Sequence, residues 1–142
     1  MSDKSYFIKG AIEPAFIAEQ ISKHSSKHEI GGHAIFLGQV RADEQEGNIV
    51  TCIEYSAYEE MANKEISAIR EAAFSKRSLS CLHIYHSLGQ VKTGQISLFV
   101  FVSSKHRKEA IAAMTELVEE IKYKVPIWKK EVFNNQSERW IE

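Results

Sequence analysis

The chain has 142 residues, 44% of them hydrophobic, with 18 basic and 19 acidic side chains and a formal net charge of -1. That length supports one domain, residues 1–142, with a packed core and is too short to suggest two, and the even charge balance excludes a molecule-wide pull toward nucleic acid or anionic membrane. No apolar run approaches the roughly 18 residues of a membrane span and the opening MSDKSYFIKG lacks the apolar segment of a secretory signal, so the cytoplasm is the expected compartment.

In chain order, SYFIKGAI reads as a short strand. EPAFIAEQISKHS then carries Pro14 where a first helical turn tolerates it, with Phe16, Ile17 and Ile21 at helical spacing. GGHAIFLGQV and NIVTCIEYSAY read as two strands joined by a mobile loop, RADEQEGN, that begins at Arg41. YEEMANKEISAIREAAFSK is an amphipathic helix with Met61, Ile66, Ile69 and Ala73 expected on its apolar face. LSCLHIYHSLG and ISLFVFVSS are β-branched, aromatic-rich runs around the glycine-containing turn QVKTGQ, the pattern of a hairpin. A last helix starts near Ser104 and stops before Pro126, with Ile111, Met114, Leu117, Val118 and Ile121 as its expected apolar stripe, and IWKKEVF and RWIE follow as extended pieces around NNQSE. The order β-α-β-β-α-β-β-α-β-β, with hairpins between most neighbouring strands, predicts an α+β fold with mostly antiparallel pairing. Cys52 and Cys81 sit in apolar strand-like runs, match no CxxC spacing, and are expected as buried reduced thiols.

Chemistry is suggested by cations in unusual places. In IKYKVPIWKKE, Lys122 and Lys124 fall at the two borders of the helical apolar stripe, and helical geometry leaves open which of them acts. After Pro126, strand alternation puts Ile127, Lys129 and Glu131 on one side and Trp128, Lys130 and Val132 on the other, so Lys129 can turn back toward the helix end. Lysines in a last helical turn ordinarily just complement the helix dipole, which accounts for Lys122 and Lys124 and accounts less well for the pair beyond the proline. A second cluster, Lys105 to Lys108, opens the last helix, where cations oppose the dipole and a bound anion would relieve the conflict. Arg41 stands where a strand gives way to a loop, a position suited to gripping a planar anion. Together these groups describe an anion pocket in which crowded cations lower a lysine pKa enough to make an amine nucleophile.

Other chemistries find little support. His24 and His28 straddle a helix end, and His83 and His86, three apart on a strand, point to opposite faces, so no metal site is expected. Phosphate-binding glycine loops and a GxSxG elbow are both absent. A nucleic-acid module built on Lys76–Arg77, Lys105–Lys108 and Lys129–Lys130 is the rival reading, and it predicts affinity that falls steeply with salt.

The segments FLGQVR, IEYSAYEEMANKEI, HSLGQVKTGQISLFVFVSSKHRKEA and KYKVPIWKKE with a closing RW resemble the large, catalytic subunit of molybdopterin synthase. The match runs over residues 31–141, and VPIWKKE with a lysine seven residues upstream of Lys129 is its most specific part. The resemblance implies an α/β hammerhead-type fold with an added antiparallel β subdomain. It implies sulfur transfer from the Gly-Gly thiocarboxylate of a small ubiquitin-like subunit to cyclic pyranopterin monophosphate, forming the dithiolene of molybdopterin, with no cofactor. It further implies Lys122 and Lys129 as catalytic residues and Gln39, Val40, Arg41, His106, Arg107, Lys130 and Glu131 as substrate-binding ones. Lys122 is the expected nucleophile, with Lys129 stabilising charge. Relatives of this kind pair through the large subunit, one small subunit at each end of a heterotetramer. Two departures stand out: Ser87 occupies the place after His86 where relatives commonly carry arginine, and the chain ends two residues after Trp140, so no basic tail is expected to reach the dimer mate.

Overall fold

A computed structural model describes residues 5–141. Among them the order is β1 (Phe7–Lys9), α1 (Pro14–Lys23), β2 (Gly32–Gln39), β3 (Glu44–Gln45), β4 (Asn48–Ala57), α2 (Glu59–Lys76), β5 (Cys81–Lys92), β6 (Ile96–Ser104), α3 (Arg107–Lys124), β7 (Ile127–Phe133) and β8 (Glu138–Ile141). The fold is α+β, and the closing Glu142 of the expected last strand lies outside the described residues.

Strands run β2-β6-β5-β4-β7-β8, with β1 added to β5 and β3 to β4. Every pairing between these strands is antiparallel except β1 with β5. The twelve residues of β5 serve two antiparallel neighbours in turn, Cys81–His86 pairing with β6 and Gly89–Lys92 with β4, while His86–Leu88 pair in parallel with β1. Gly89, at φ 85°, takes a backbone conformation that side chains resist, and it stands where the strand passes from one partner to the other.

The core follows from alternation along β6. Val100 and Val102 face α2 and α3, joining Ile66, Leu82, Leu117 and Ile121, while Phe99 and Phe101 face α1 with Ile12 and Ile17. Covered on both faces, β6 needs a near-continuous apolar run, and ISLFVFVSS supplies one. A third cluster of Val40, Tyr55 and Val91 sits under the β4–β7 part of the sheet.

Three local expectations are corrected. The stretch after Arg41 is no open loop, because Glu44–Gln45 pair with Asn48–Ile49 across a turn in which Glu46 and Gly47 both have positive φ (53° and 82°). On α2 the buried face is Ala62, Ile66 and Ile69, with Met61 52% exposed, and on α3 it is Ala110, Ala113, Leu117 and Ile121, with Ile111 57% exposed. Both helices turn alanines toward the sheet, which lets the backbones approach closely and leaves the bulkier neighbours outside.

Candidate active site

Pro126 ends α3, and β7 then pairs with β4 so that Lys129 lies opposite Tyr55 and Lys130 opposite Glu54. Opposed residues share a face of the sheet and successive ones alternate, so Lys129 points inward with the buried Glu131 and Phe133, while Lys130 points the other way. Lys129 is half-buried. Burial above all, then the charges of Lys122 and Arg41, hold its ammonium below the ordinary lysine range. Lys122, in the last turn of α3, and Arg41, just past β2, thus lie near enough for their charges to act on Lys129, although the three come from separate parts of the chain. Among the described residues no carboxylate lies within ion-pairing distance of Lys122 or Lys129, whereas neighbouring Lys124 is paired with Glu120 at 3.5 Å.

Arg41 is positioned by the residue before it. The Val40 N–H donates to the Gln95 carbonyl (3.0 Å) and its carbonyl accepts from the Gly94 N–H (2.9 Å), which pins this end of β2 to the β5–β6 turn. The Arg41 side chain then extends into solvent, touching Asp43 at 3.1 Å.

The floor is aromatic. Tyr55 stands edge-on to the buried His86, ring centres 5.1 Å apart, and its hydroxyl donates to Ser97 Oγ at 3.0 Å. The His86 Nδ1–H donates to the Ser87 carbonyl at 2.8 Å. Burial drives the His86 pKa down to about 4, and the Lys129 charge pushes the same way against that hydrogen bond. His86 is therefore a neutral imidazole at pH 7, so the floor beneath Lys129 carries no further positive charge. Ser87 is fully buried, and its Oγ has no hydrogen-bond partner among the described residues.

The other substrate-binding residues implied by the resemblance are placed differently. Gln39 is exposed at the end of β2, and the Val40 side chain is buried in the Tyr55–Val91 cluster, so Val40 has no side-chain surface to offer a ligand. Lys130 is engaged by Glu54 (3.4 Å), Glu138 (3.3 Å) and the Trp140 ring (5.4 Å), beside a hollow of about 490 Å3 on the face away from Lys129. Glu131 is buried and held by Arg139 at 2.6 Å. His106 and Arg107 lie at the first turn of α3, bordering a second hollow of about 670 Å3 with Lys105, Lys108 and Gly31. Lys122 is in the last turn of the same helix, so roughly 22 Å of helix axis separates the two clusters, and the single anion pocket expected from the sequence is two sites within one chain. Lys76 and Arg77, basic residues of the rival nucleic-acid reading, are committed to Glu116, with Arg77 bidentate at 2.7 and 3.1 Å.

Histidine pairing also differs from expectation. The Nε2 atoms of His24 and His83 lie 3.1 Å apart, with Cys81 alongside, while His28 takes no part. The sequence signal for this group is Cys81-x-His83, two positions that share one face of a strand.

Comparison with known proteins adds an independent line. The family model described as MoaE protein matches residues 11–124. A molybdopterin synthase catalytic subunit of Pyrococcus abyssi is 43% identical over 126 residues, covering 89% of this chain and 83% of that protein. Its counterpart in Oryza sativa subsp. indica is 41% identical over 112 residues, and there the matched region spans 57% of the longer protein. Among solved structures, a molybdopterin synthase from Staphylococcus aureus superposes with a TM-score of 0.85 at 29% identity, covering 100% of this chain and 99% of that one. A complex of subunits 1 and 2 of a molybdopterin-converting factor from Helicobacter pylori shares the fold, with a TM-score of 0.81 at 23% identity over 96% of this chain and 88% of that chain.

Proposed function

Since the chain belongs to the MoaE protein family and is an enzyme of molybdopterin synthesis, we propose that it transfers sulfur from the thiocarboxylated C-terminus of a small ubiquitin-like subunit to cyclic pyranopterin monophosphate. The observation that carries this reading is the grouping of Lys122, Lys129 and Arg41, in which Asp43 pairs with Arg41 but neither lysine has a carboxylate partner among the described residues. Both proposed reactants are anions, and two unpaired ammonium groups beside an exposed guanidinium suit them.

Lys122 and Lys129 are the proposed catalytic pair. An amine held below its ordinary pKa spends more time deprotonated, so Lys129 is suited to take the proton that Lys122 must lose before it attacks. The thiocarboxylate sulfur bonds first to a pterin carbon as a carbon–oxygen bond there breaks, with its electron pair leaving on oxygen. The Lys122 nitrogen then bonds to the acyl carbon of the resulting thioester, the acyl carbon–sulfur bond breaks with its electron pair on sulfur, and the sulfur stays with the pterin. Water hydrolyses the Lys122 amide, freeing the amine and releasing the small subunit's tail as a carboxylate. Lys129, now charged, and Arg41 stabilise the negative charge that develops. His106 and Arg107, too distant within one chain, are proposed to serve the site of a second copy, which requires the homodimer at the centre of a heterotetramer with two small subunits. Cys52 and Cys81 are buried and unbridged, which suits a reducing cytoplasm.

The decisive assay mixes the chain with thiocarboxylated small subunit and cyclic pyranopterin monophosphate and follows the dithiolene product by mass. The wild type should form product, and Lys122→Ala should reduce turnover at least about a hundredfold. Near-normal turnover in that variant removes Lys122 from the mechanism.

A further inference from the structure

On the opposite side of the β5–β6 pair from α2 and α3, three ligand-type side chains meet that the sulfur-transfer reading does not use. His24 caps α1, its backbone N–H donating to the Ile21 carbonyl at 3.1 Å. Its ring Nδ1 lies 2.7 Å from the Gln20 carbonyl oxygen, which can only accept, so Nδ1 carries the proton and Nε2 presents its lone pair. That lone pair faces His83 Nε2 at 3.1 Å. Cys81 precedes His83 by two positions on the same face of β5, and the three ligand atoms lie within 4.8 Å of one another. Phe101 backs the group, its ring centre 4.8 Å from that of His24. Lys27 stands at the mouth as an exposed cation, Nζ 3.1 Å from Cys81 Sγ.

These are the features of a binding site for a borderline-soft ion. A tetrahedral zinc bonded at about 2.0–2.1 Å to two imidazole nitrogens holds them about 3.3 Å apart, close to the spacing that His24 and His83 already have. A backbone carbonyl fixing the far nitrogen of a histidine is the usual outer support of a metal-bound imidazole. Two imidazoles and a thiolate suit zinc and cobalt rather than magnesium or calcium.

We propose that His24, His83 and the Cys81 thiolate bind one divalent transition-metal ion of the zinc class, with water in the fourth position. Binding drives the Cys81 proton, and any proton shared between the two imidazoles, into solvent. The ion fastens the C-terminal end of α1 to the start of β5. Lys27 lies against the Cys81 sulfur when no ion is bound and swings out to solvent when one is, so it competes with the metal.

The test is titration of the metal-free full-length chain with Co2+, read by absorbance. One equivalent should produce the thiolate-to-cobalt charge-transfer band and intense visible bands of a four-coordinate site, and Zn2+ should displace them. Cys81→Ser should lose the thiolate band, His83→Gln should weaken binding at least about tenfold, and Lys27→Ala should bind more tightly than wild type. A wild-type spectrum with no thiolate band overturns the proposal, as does a band that persists in Cys81→Ser. Should Cys81→Ser fail to fold, the surface variant Lys27→Ala decides: unchanged or weaker cobalt affinity counts against the site. Sulfur-transfer assays in Lys122→Ala are independent of all these readings.

Discussion

The chemistry rests on how a few side chains are solvated. Lys129 is held below its ordinary pKa, so wherever it is charged the folded state carries a penalty that the unfolded chain escapes. Between the folded value and the ordinary lysine value of 10.5 the unfolded chain binds more protons, and stability therefore climbs with pH across that window. Lys129→Met removes the penalty, so at pH 7 it should melt at a higher temperature than wild type while losing turnover, a combination that thermal denaturation and the product assay would report together. His86 works in a lower window. Its pKa falls from 6.5 to about 4, so the stability it supports is complete above 6.5, fades as pH drops toward 4, and levels off below. At about 1.36 kcal/mol per unit that is roughly 3 kcal/mol. Urea midpoints at pH 7.5 and 4.5 should differ by less in His86→Phe than in wild type, and an unchanged difference would assign the acid sensitivity elsewhere. Lys129's inward direction can be read from alternation after Pro126, but its neighbours Tyr55 and His86 come from distant strands and are invisible to local pattern.

Elements position these residues, and their legibility in sequence was uneven. The strand runs and Pro14 and Pro126 marked α1, the end of α3, and most strands close to their observed bounds. Apolar bulk marks only part of each helix face: Ile66, Ile69, Leu117 and Ile121 are buried as expected, but Met61 and Ile111 are bulky yet exposed, while Ala62, Ala110 and Ala113 take the close contacts. The β3 hairpin is hidden in the sequence because Glu46 is an unusual residue for a positive φ. The start of α3 is set by a close approach: Gly31 passes so near Lys105 that an added Cβ would strike the Lys105 carbonyl oxygen. Gly31→Ala should therefore cost about 1–3 kcal/mol and shift the first turn that carries His106 and Arg107. Denaturant titration would register the loss, and the Michaelis constant for the pterin should rise if that turn binds it.

At the scale of the whole molecule, α3 works as a spacer with a basic cluster at each end. Its length is legible from the sequence, but clusters alike in charge read as one pocket there, because sequence alone carries no distance between them. If a second copy supplies His106 and Arg107, two inactive variants should complement each other. Lys122→Ala and Arg107→Ala, mixed under conditions that exchange subunits, should recover about a quarter of wild-type turnover, since random pairing makes about half the dimers mixed and leaves each of those one intact site. Recovery absent from a mixture shown to exchange would confine the site to one chain. His24 and His83, 59 residues apart, show the same limit of local reading from the other direction: no spacing rule connects them, and only the packing of α1 on β5 does.

The parallel pairing of Phe7–Lys9 with His86–Leu88 also constrains the order in which the chain can assemble. During synthesis the first strand leaves the ribosome with nothing to join, and about eighty residues must follow before its mate appears. The N-terminal segment is thus held in reserve, and it seals the seam between the two halves of the sheet only after the centre of the molecule has been made.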